Sequence, residues 1–467
     1  MRQLMLSVIV LLLAPIDAVR AATDPLALLG AHQGRWLGSL ALPDGRTIHS
    51  GIDVFTRADQ SVWASYASPD RDAYDIPVAR IRAAGDRVEL ELPFATVRLA
   101  WLEHHFNGEW IQNGTSTPLE LHEVDDFPRK HRPQDPIRPF PYREQTLAIA
   151  AGNDVTLGAT LTVPNRRGRP SAVILVPGSG PQTRDEDGGG HRTFAVLADQ
   201  LARQGIAVLR YDKRGVSRST GDYAQHTQKE LADDLLAVAR ALRARKQFGR
   251  VGLIGHSEGS MIAAAVVARD RQAADFVVSL EGVGLPGDAM IALQDKAYAA
   301  DQGARGADLD RLMDYVHRYY GIILAQPDPK ARIAALHAYL DGLDPRDKAL
   351  VEKFNMNVGT LSLEQAADPA LRALLLVDSQ QDWRVVRCPV LALNGALDHQ
   401  VPPESLDAIV AALHEGGNTH TQSAVLPSIN HMLQTAQSGA EDEYAQIEQT
   451  IAPAVVRRIV AFVNNPH

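Results

Sequence analysis

The chain has 467 residues, a formal net charge of −9 at pH 7 and a single cysteine, Cys388. This length is enough for two domains, and the mildly negative, dispersed charge offers no basic footprint for binding nucleic acid. One cysteine excludes an internal disulfide, so an oxidising compartment would add no cross-link to this chain.

The first residues have the pattern of an export signal. Arg2 is followed by an apolar run over residues 4–16, and residues 19–21 form a small-x-small cleavage site. The apolar run is too short to span a bilayer, and no cysteine lies near the cleavage site to carry a lipid. We therefore expect residues 1–21 to be removed as a signal peptide. The protein is then expected to be periplasmic or secreted, without a stable membrane anchor.

Residues 22–125 have the pattern of a small antiparallel β domain. Short segments of alternating polar and apolar residues, such as 88–92 and 95–101, are separated by turn signals rich in Gly, Asn and Asp. We predict a barrel or a sandwich. His104, His105 and the scattered carboxylates do not fall at metal-ligand spacings, so no metal site is predicted.

A proline-rich segment follows the β domain. Between Phe127 and Tyr142 the sequence has five prolines among basic and aromatic residues, a composition typical of a stiff, extended chain. Residues 126–143 are therefore predicted to link the β domain to a second domain, residues 144–467.

The second domain begins with a predicted hairpin and continues with alternating strands and helices. The hairpin strands span residues 147–149 and 156–163, and a helical pattern at 194–203 precedes a strand at 206–211. This alternation favours a mostly parallel sheet with helices on both faces.

A loop with two glycines follows the predicted strand at residues 172–176. Gly178 and Gly180 allow the backbone to approach a bound molecule closely and to direct an amide toward it. That donor would be the amide of Ser179 or of Gly180, and the pattern does not choose between them. A turn without any binding role is the alternative interpretation.

Ser257 lies in the pattern G-x-S-x-G, residues 255–259, between a predicted strand (251–254) and a predicted helix (261–268). The glycines remove side chains that would collide in so sharp a turn. The hydroxyl then stands at the apex, beside the amide of Glu258 and the helix N-terminus, where an oxyanion would be stabilised. The pattern predicts a nucleophilic serine; the alternative is a helix start without chemistry.

A long helical segment then interrupts the alternation. Glu281 follows the strand at residues 276–280, where its carboxylate would face the site or the solvent, and residues 287–385 have helical patterns almost throughout. An insertion at this edge of the sheet would lie over Ser257 as a cap. Glu281 and the aromatic residues of the cap are candidates for contacting substrate, with packing between helices as the alternative for the aromatic ones. The aromatic candidates are Tyr298, Tyr315, Tyr319, Tyr320, Phe354 and Trp383.

An acid and a base follow the last two predicted strands. Asp398 comes just after the strand at residues 390–394, and His431 lies in the loop after the strand at 423–426. A serine needs such a base, and the base needs an orienting acid, in the chain order Ser, Asp, His. His399 is a rival base, but it is adjacent to Asp398 and cannot easily turn back onto that carboxylate while reaching the serine.

Five stretches of the sequence resemble one family of proteins. They are residues 176–186, 211–215, 256–259, 394–398 and 430–431. These stretches resemble a bacterial group of α/β-hydrolases related to serine aminopeptidases, whose members are often exported and have a β-rich N-terminal domain. The resemblance implies an α/β-hydrolase fold with a helical cap, and activity as an esterase or hydrolase.

The sequence departs from this group at two positions. Ser260 stands where the group usually has glycine, and Glu281 stands where a small residue is usual. A carboxylate at position 281 would alter substrate preference if it faced the site.

Taken together, these patterns predict an exported serine hydrolase that cleaves carboxylic esters with the triad Ser257, Asp398 and His431. The substrate would be a small-molecule ester or a short peptide, and no metal or organic cofactor is implied. A serine aminopeptidase-like activity is the alternative, with Glu186, Glu258 or Glu281 holding a free N-terminus. A non-catalytic binding protein on a hydrolase scaffold is the alternative from another class.

Overall fold

A computed structural model describes residues 25–466 except 43–44, 355, 357–365 and 367–368. The expected signal peptide lies outside the described residues. Among the helices that are described, none combines the length and the apolar character needed to cross a bilayer.

The N-terminal part is a short helix, α1 (Pro25–Ala31), and one antiparallel sheet. Its nine strands are β1 (Gly34–Ala41), β2 (Thr47–Thr56), β3 (Val62–Ser68), β4 (Ala73–Pro77), β5 (Arg80–Ala84), β6 (Arg87–Glu91), β7 (Thr96–Leu102), β8 (His105–Gln112) and β9 (Thr115–Val124). Their order across the sheet is β4-β3-β2-β1-β9-β8-β7-β6-β5. This sheet is consistent with the predicted antiparallel β domain, and it forms a half-barrel of one sheet rather than a closed barrel or a two-sheet sandwich. One face buries a core that includes Trp36, Leu90, Leu99, Phe106 and, from α1, Leu29.

The predicted linker is bound closely to the second domain. Arg132 has no exposed surface, and its guanidinium donates hydrogen bonds to the carbonyl oxygens of Gly189, Gly190, Ala445 and Ile447. A buried guanidinium requires such a set of acceptors, because unpaired burial of a charge is costly. The segment therefore behaves as a packed element rather than a free spacer.

The second domain is built on an eight-stranded sheet. Its strands are β10 (Tyr142–Gly152), β11 (Val155–Pro164), β12 (Ala172–Val176), β15 (Ala207–Tyr211), β16 (Val251–His256), β17 (Phe276–Leu280), β18 (Val390–Leu397) and β19 (Thr421–Asn430), and a separate short pair is formed by β13 (Asp187–Gly188) and β14 (His191–Arg192). The order is β10-β11-β15-β12-β16-β17-β18-β19, parallel from β15 to β19. The loops at the carboxyl ends of the parallel strands therefore meet at one edge.

Helices cover both faces of this sheet. Those that flank it are α2 (Thr193–Arg203), α3 (Gln228–Ala244), α4 (Glu258–Arg269), α11 (Glu404–Glu415) and α13 (Pro453–Asn464), and α12 (Glu441–Tyr444) is a single turn. Apolar side chains of α3, α4 and α11 pack on one face, and those of α2 and α13 pack on the other. Buried on both faces, the central strands are continuously apolar, as their sequences predict.

Between β17 and β18 the chain forms a helical segment. Its helices are α5 (Gly287–Asp301), α6 (Gly306–Ala325), α7 (Pro329–Asp341), α8 (Pro345–Lys353), α9 (Pro369–Leu375) and α10 (Ser379–Val385). Tyr315, Tyr319, Tyr320 and Phe354 are buried in the core that these helices share, so packing between helices accounts for them. Tyr298 is exposed instead.

Candidate active site

Ser257 occupies a tight turn between β16 and α4. Its backbone dihedrals, φ 53° and ψ −123°, lie in a region that residues with a Cβ rarely adopt. A Cβ at Gly255 would lie 2.3 Å from the carbonyl oxygen of Gly259, and one at Gly259 would lie 2.1 Å from that of Val176. Both glycines are therefore required by the packing of the turn.

The aspartate and the histidine meet across the last two strands. The final paired residues of β18 and β19 are Leu397 and Asn430, and Asp398 and His431 follow them directly. The Nδ1 atom of His431 lies 2.9 Å from Oδ2 of Asp398. The other carboxylate oxygen accepts hydrogen bonds from the amides of Gln400 and Val401 at 2.9 and 2.8 Å. The carboxylate is thus fixed in orientation, and Nδ1 is the nitrogen of His431 that faces it.

A second histidine holds this loop against the serine turn. His256, the residue before Ser257, places Nε2 2.9 Å from the carbonyl oxygen of His431 and Nδ1 3.0 Å from the carboxylate of Glu186. Burial alone would lower the pKa of His256, but the charge and hydrogen bond of Glu186 raise it overall. Both ring nitrogens face acceptors, so the ring connects the two loops, and it can donate to both acceptors only when each nitrogen carries a proton. The rival base His399 instead bonds to Asp301, at the end of α5.

The loop after β12 presents one amide that is free of a protein acceptor among the described residues. The amide of Gly178 donates to Glu186 at 2.7 Å, and the amide of Gly180 faces the phenol of Tyr223. A Cβ on Gly178 would lie 3.3 Å from Cβ of Ser257, so the loop is packed against the serine. The sequence did not distinguish between the amides of Ser179 and Gly180 as a second oxyanion donor. The geometry favours the amide of Ser179 for this role, together with the amide of Glu258 at the start of α4.

A buried ion pair lies beneath the serine turn. The ammonium of Lys213 is 2.8 Å from the carboxylate of Glu258 and 2.5 Å from the carbonyl oxygen of Gly178. Gln228 donates to the other oxygen of Glu258. Burial alone would raise the pKa of Glu258, but the ammonium and these hydrogen bonds bring the pKa below its ordinary value. The ion pair thus connects the loop after β12 to the first turn of α4.

The side chain of Glu281 faces neither substrate nor solvent. The residue is 1% exposed, its Oε2 atom accepts from the amide of Gly395 at 2.7 Å, and its carboxyl group contacts that of Asp398. Burial, followed by the charge of Asp398, raises the pKa of Glu281 well above its ordinary value. The expectation of a substrate or solvent contact at this position is therefore corrected.

Trp383 is also corrected as a candidate for binding substrate. It has no exposed surface, it belongs to the core of the sheet domain, and its indole nitrogen donates to the carbonyl oxygen of Val283. Ser260, the other departure from the family pattern, donates to the carbonyl oxygen of Ser257 and accepts from the amide of Val283. Both residues fix the loop after β17.

A large cavity lies away from these residues. It has a volume of about 770 Å³ and lies between the N-terminal sheet and the second domain. Its lining includes arginine and aspartate side chains from both parts, such as Arg57, Asp75, Asp212 and Arg218, but neither Ser257 nor His431. The candidate active site is therefore identified by Ser257, Asp398 and His431, and not by the position of this cavity.

Comparison with known proteins gives related findings. A family model described as "Serine aminopeptidase, S33" matches residues 189–284, which include the serine turn. Esterase EstD of Thermotoga maritima is 33% identical over 173 residues, and the match covers 37% of this chain and 37% of EstD. The matched part thus spans well under half of the length of that relative.

Solved structures with a similar arrangement include Est1E from Butyrivibrio proteoclasticus with bound ferulic acid. It has 16% identity, a TM-score of 0.41, and coverage of 68% of this chain and 98% of its own. Proline iminopeptidase of Mycobacterium smegmatis has 18% identity, a TM-score of 0.41, and coverage of 68% and 99%.

Proposed function

We propose that this α/β-hydrolase cleaves carboxylic esters through an acyl-enzyme formed on Ser257. The observation that carries the proposal is the hydrogen bond between His431 Nδ1 and Asp398. A second hydrogen bond, from His256 to the carbonyl oxygen of His431, connects this loop to the strained serine turn. That arrangement supplies a nucleophile, a base and an orienting acid.

The reaction proceeds in two steps. Ser257 Oγ attacks the carbonyl carbon while His431 Nε2 takes its proton, and Asp398 stabilises the imidazolium. The amides of Glu258 and Ser179 stabilise the oxyanion of the tetrahedral intermediate. As the ester bond breaks, His431 returns the proton to the departing alkoxide and an alcohol leaves. Water, deprotonated by His431, then attacks the acyl-enzyme; the bond to Ser257 Oγ breaks, His431 returns the proton to that oxygen, and the carboxylic acid leaves.

Aminopeptidase activity is the second candidate, and the description of the matched family favours it. An aminopeptidase needs an accessible carboxylate to bind the free N-terminus. The three candidates for that role, Glu186, Glu258 and Glu281, are 3%, 8% and 1% exposed and are bound to protein groups. Their burial argues for esters over free-amine substrates. The arrangement of the triad argues against a non-catalytic binding protein.

Export belongs to the same proposal. A signal peptide at residues 1–21 would direct the enzyme to the periplasm or the medium, where it would act on a small-molecule ester. N-terminal sequencing of the mature protein should begin at Ala22, and a mature chain that retains Met1 would contradict export by this route.

The test of the proposed function is covalent labelling by a fluorophosphonate probe. The wild type should be labelled and Ser257→Ala should not be, with unchanged circular dichroism. Cys388→Ala is the control and should be labelled like the wild type, because burial raises the pKa of that thiol to about 12 and leaves it unreactive. Labelling of folded Ser257→Ala would refute the assignment. A panel of acyl esters and unblocked aminoacyl amides then separates the two activities, and faster turnover of the amides would favour the second candidate.

A further inference from the structure

The carboxyl group of Glu281 is held directly behind the triad acid. The backbone at this position has φ 48°, its amide donates to the carbonyl oxygen of Leu393 at 2.9 Å, and Oε2 accepts from the amide of Gly395. Both partners belong to β18, the strand that leads to Asp398. The carboxyl group is therefore oriented by the element that positions the triad acid.

The other oxygen of Glu281 has a specific requirement. Oε1 is buried and receives no hydrogen bond from any donor among the described residues, while the carboxyl group contacts that of Asp398. Two ionised carboxylates in contact inside a protein repel each other, and a buried anionic oxygen without a donor is costly. A proton on Oε1 removes both penalties, because a neutral carboxylic acid can donate a hydrogen bond to Asp398.

We propose that Glu281 is a positioning residue that carries a proton and donates it in a hydrogen bond to Asp398. The hydrogen bond reduces how strongly that carboxylate stabilises the His431 imidazolium. The proposal rests on the triad of the proposed function. The donated bond fixes the carboxylate and withdraws part of its negative charge, so that the imidazole is neutral, and active as a base, at lower pH. The other titratable groups close to this pair are His256 and Tyr444. Burial would lower the pKa of His256, but Glu186 raises it overall, and burial is the largest cause of the raised pKa of Tyr444.

The test compares Glu281→Gln with Glu281→Ala. The amide of Gln can donate to Asp398 and accept from Gly395, whereas Ala can do neither. The rate of fluorophosphonate labelling is measured against pH, which needs the triad but no knowledge of the substrate. We expect the acidic limb of the profile to move to higher pH by about 0.5–1 unit in Glu281→Ala, because Asp398 without the hydrogen bond from residue 281 stabilises the imidazolium more strongly. Glu281→Gln should keep the limb of the wild type.

Two outcomes would overturn the proposal. One is an Ala limb identical to that of the wild type, which would mean that Glu281 only fills space, and the other is a Gln limb displaced as far as that of Ala. If Glu281→Ala does not fold, infrared spectroscopy decides: a protonated-carboxyl C=O band should be present in the wild type at neutral pH and absent from Glu281→Gln. A wild type that is not labelled at all would refute the proposed function instead.

A separate observation concerns the N-terminal sheet. His105 begins β8, and Glu120 and His122 lie on β9, with residues 106 and 107 paired to 121 and 120. This register brings His105 opposite His122, and Glu120 lies on the same face as His122 because the two are two residues apart. The nearest oxygen of Glu120 is 2.9 Å from Nε2 of His122 and 3.5 Å from Nε2 of His105.

These separations are short enough for one metal ion to be bound by all three side chains after small side-chain rotations. Ligand atoms about 2.0–2.1 Å from a tetrahedral zinc ion lie about 3.4 Å apart, and ligand atoms of the three residues lie within 4.8 Å of one another. Two imidazoles and a carboxylate are a donor set that zinc binds well. We infer that His105, Glu120 and His122 form a zinc site, with the remaining position open to water. Sequence spacing missed it because the ligands come from two strands.

Calorimetric titration of the full chain with zinc tests this inference. The wild type should bind zinc at one site, and His122→Ala and Glu120→Gln should each weaken binding at least about tenfold, as expected for loss of one of three ligands. His104→Ala, which removes an adjacent histidine outside the cluster, should bind like the wild type. Undiminished binding by His122→Ala, or no binding by the wild type, would overturn the inference.

Discussion

Two ion-pair networks in this protein have the same distances and different surroundings. Beneath the serine turn, Lys213 lies 2.8 Å from Glu258, and their side chains are 2% and 10% exposed. On the N-terminal sheet, Arg98 lies 2.9 Å from both Glu89 and Glu109; Glu89 is 8% exposed, but the side chains of Arg98 and Glu109 are 34% and 26% exposed. Distance alone would rank the networks as equal.

The difference in burial decides what each network does. Water and salt screen a solvated pair, so it contributes little to stability. A buried pair is different, because removing one partner leaves an uncompensated charge in a medium that solvates it poorly. The edge of the sheet that carries Ser257 therefore depends on its buried charged groups, whereas the N-terminal sheet depends on its apolar core.

The largest effect should come from Asp398, the proposed orienting acid. Asp398→Asn should reduce kcat by about 10³–10⁴-fold, because an amide stabilises neither the imidazolium nor the tautomer that leaves Nε2 free to take a proton. Ester hydrolysis by a variant with unchanged circular dichroism measures the loss. A loss of less than tenfold would mean that Asp398 is not the orienting acid.

Breaking the buried pair should have the next largest effect. Lys213→Met leaves the carboxylate of Glu258 buried without its cation, and we expect the free energy of unfolding to fall by about 3–5 kcal/mol. The double variant Lys213→Met/Glu258→Gln should regain much of that loss, because the stranded charge is gone. Urea denaturation measures both, and a double variant no more stable than the single one would contradict this account.

The same pair predicts how stability depends on pH. The pKa of Glu258 is lower in the folded protein than its ordinary value, so its stabilising contribution is complete above about pH 4.3 and is lost as the pH falls through the folded value. The wild type should lose stability below that pH more steeply than Lys213→Met/Glu258→Gln. Equal slopes in urea titrations from about pH 6 to 3 would show that the pair does not contribute.

The smallest effect should come from the N-terminal network. Arg98→Ala removes hydrogen bonds to Glu89 and Glu109, but the buried Glu89 keeps its hydrogen bond to the half-exposed Arg82, and water reaches Glu109. The urea midpoint should hardly change. A drop as large as that of Lys213→Met would remove the distinction drawn between the two networks.

Much of the candidate active site could be predicted from the sequence because local patterns determine it. Apolar β-branched runs predict buried strands, and Gly255 and Gly259 mark the turn that lifts Ser257. Chain order and strand ends then indicate Asp398 and His431, which the structure brings together. Each of these inferences uses residues within a few positions of one another.

The features that could not be predicted depend on contacts between distant segments. Glu281 points toward Asp398 because its left-handed backbone and the amide of Gly395 orient it, and neither is visible in its neighbours. The choice of Ser179 over Gly180 depends on Tyr223, more than forty residues away in the sequence. Whether the N-terminal strands close into a barrel likewise depends on pairing between strands far apart in the chain.

The clamp around Arg132 has a consequence for the order of events during synthesis. Two of its carbonyl acceptors, in Ala445 and Ile447, lie 313 and 315 residues further along the chain. The residues of the N-terminal sheet are thus synthesised long before the carbonyl groups of Ala445 and Ile447, which Arg132 binds in the folded protein. The linker can therefore reach its packed position at Arg132 only after the segment beyond Tyr444 has been made.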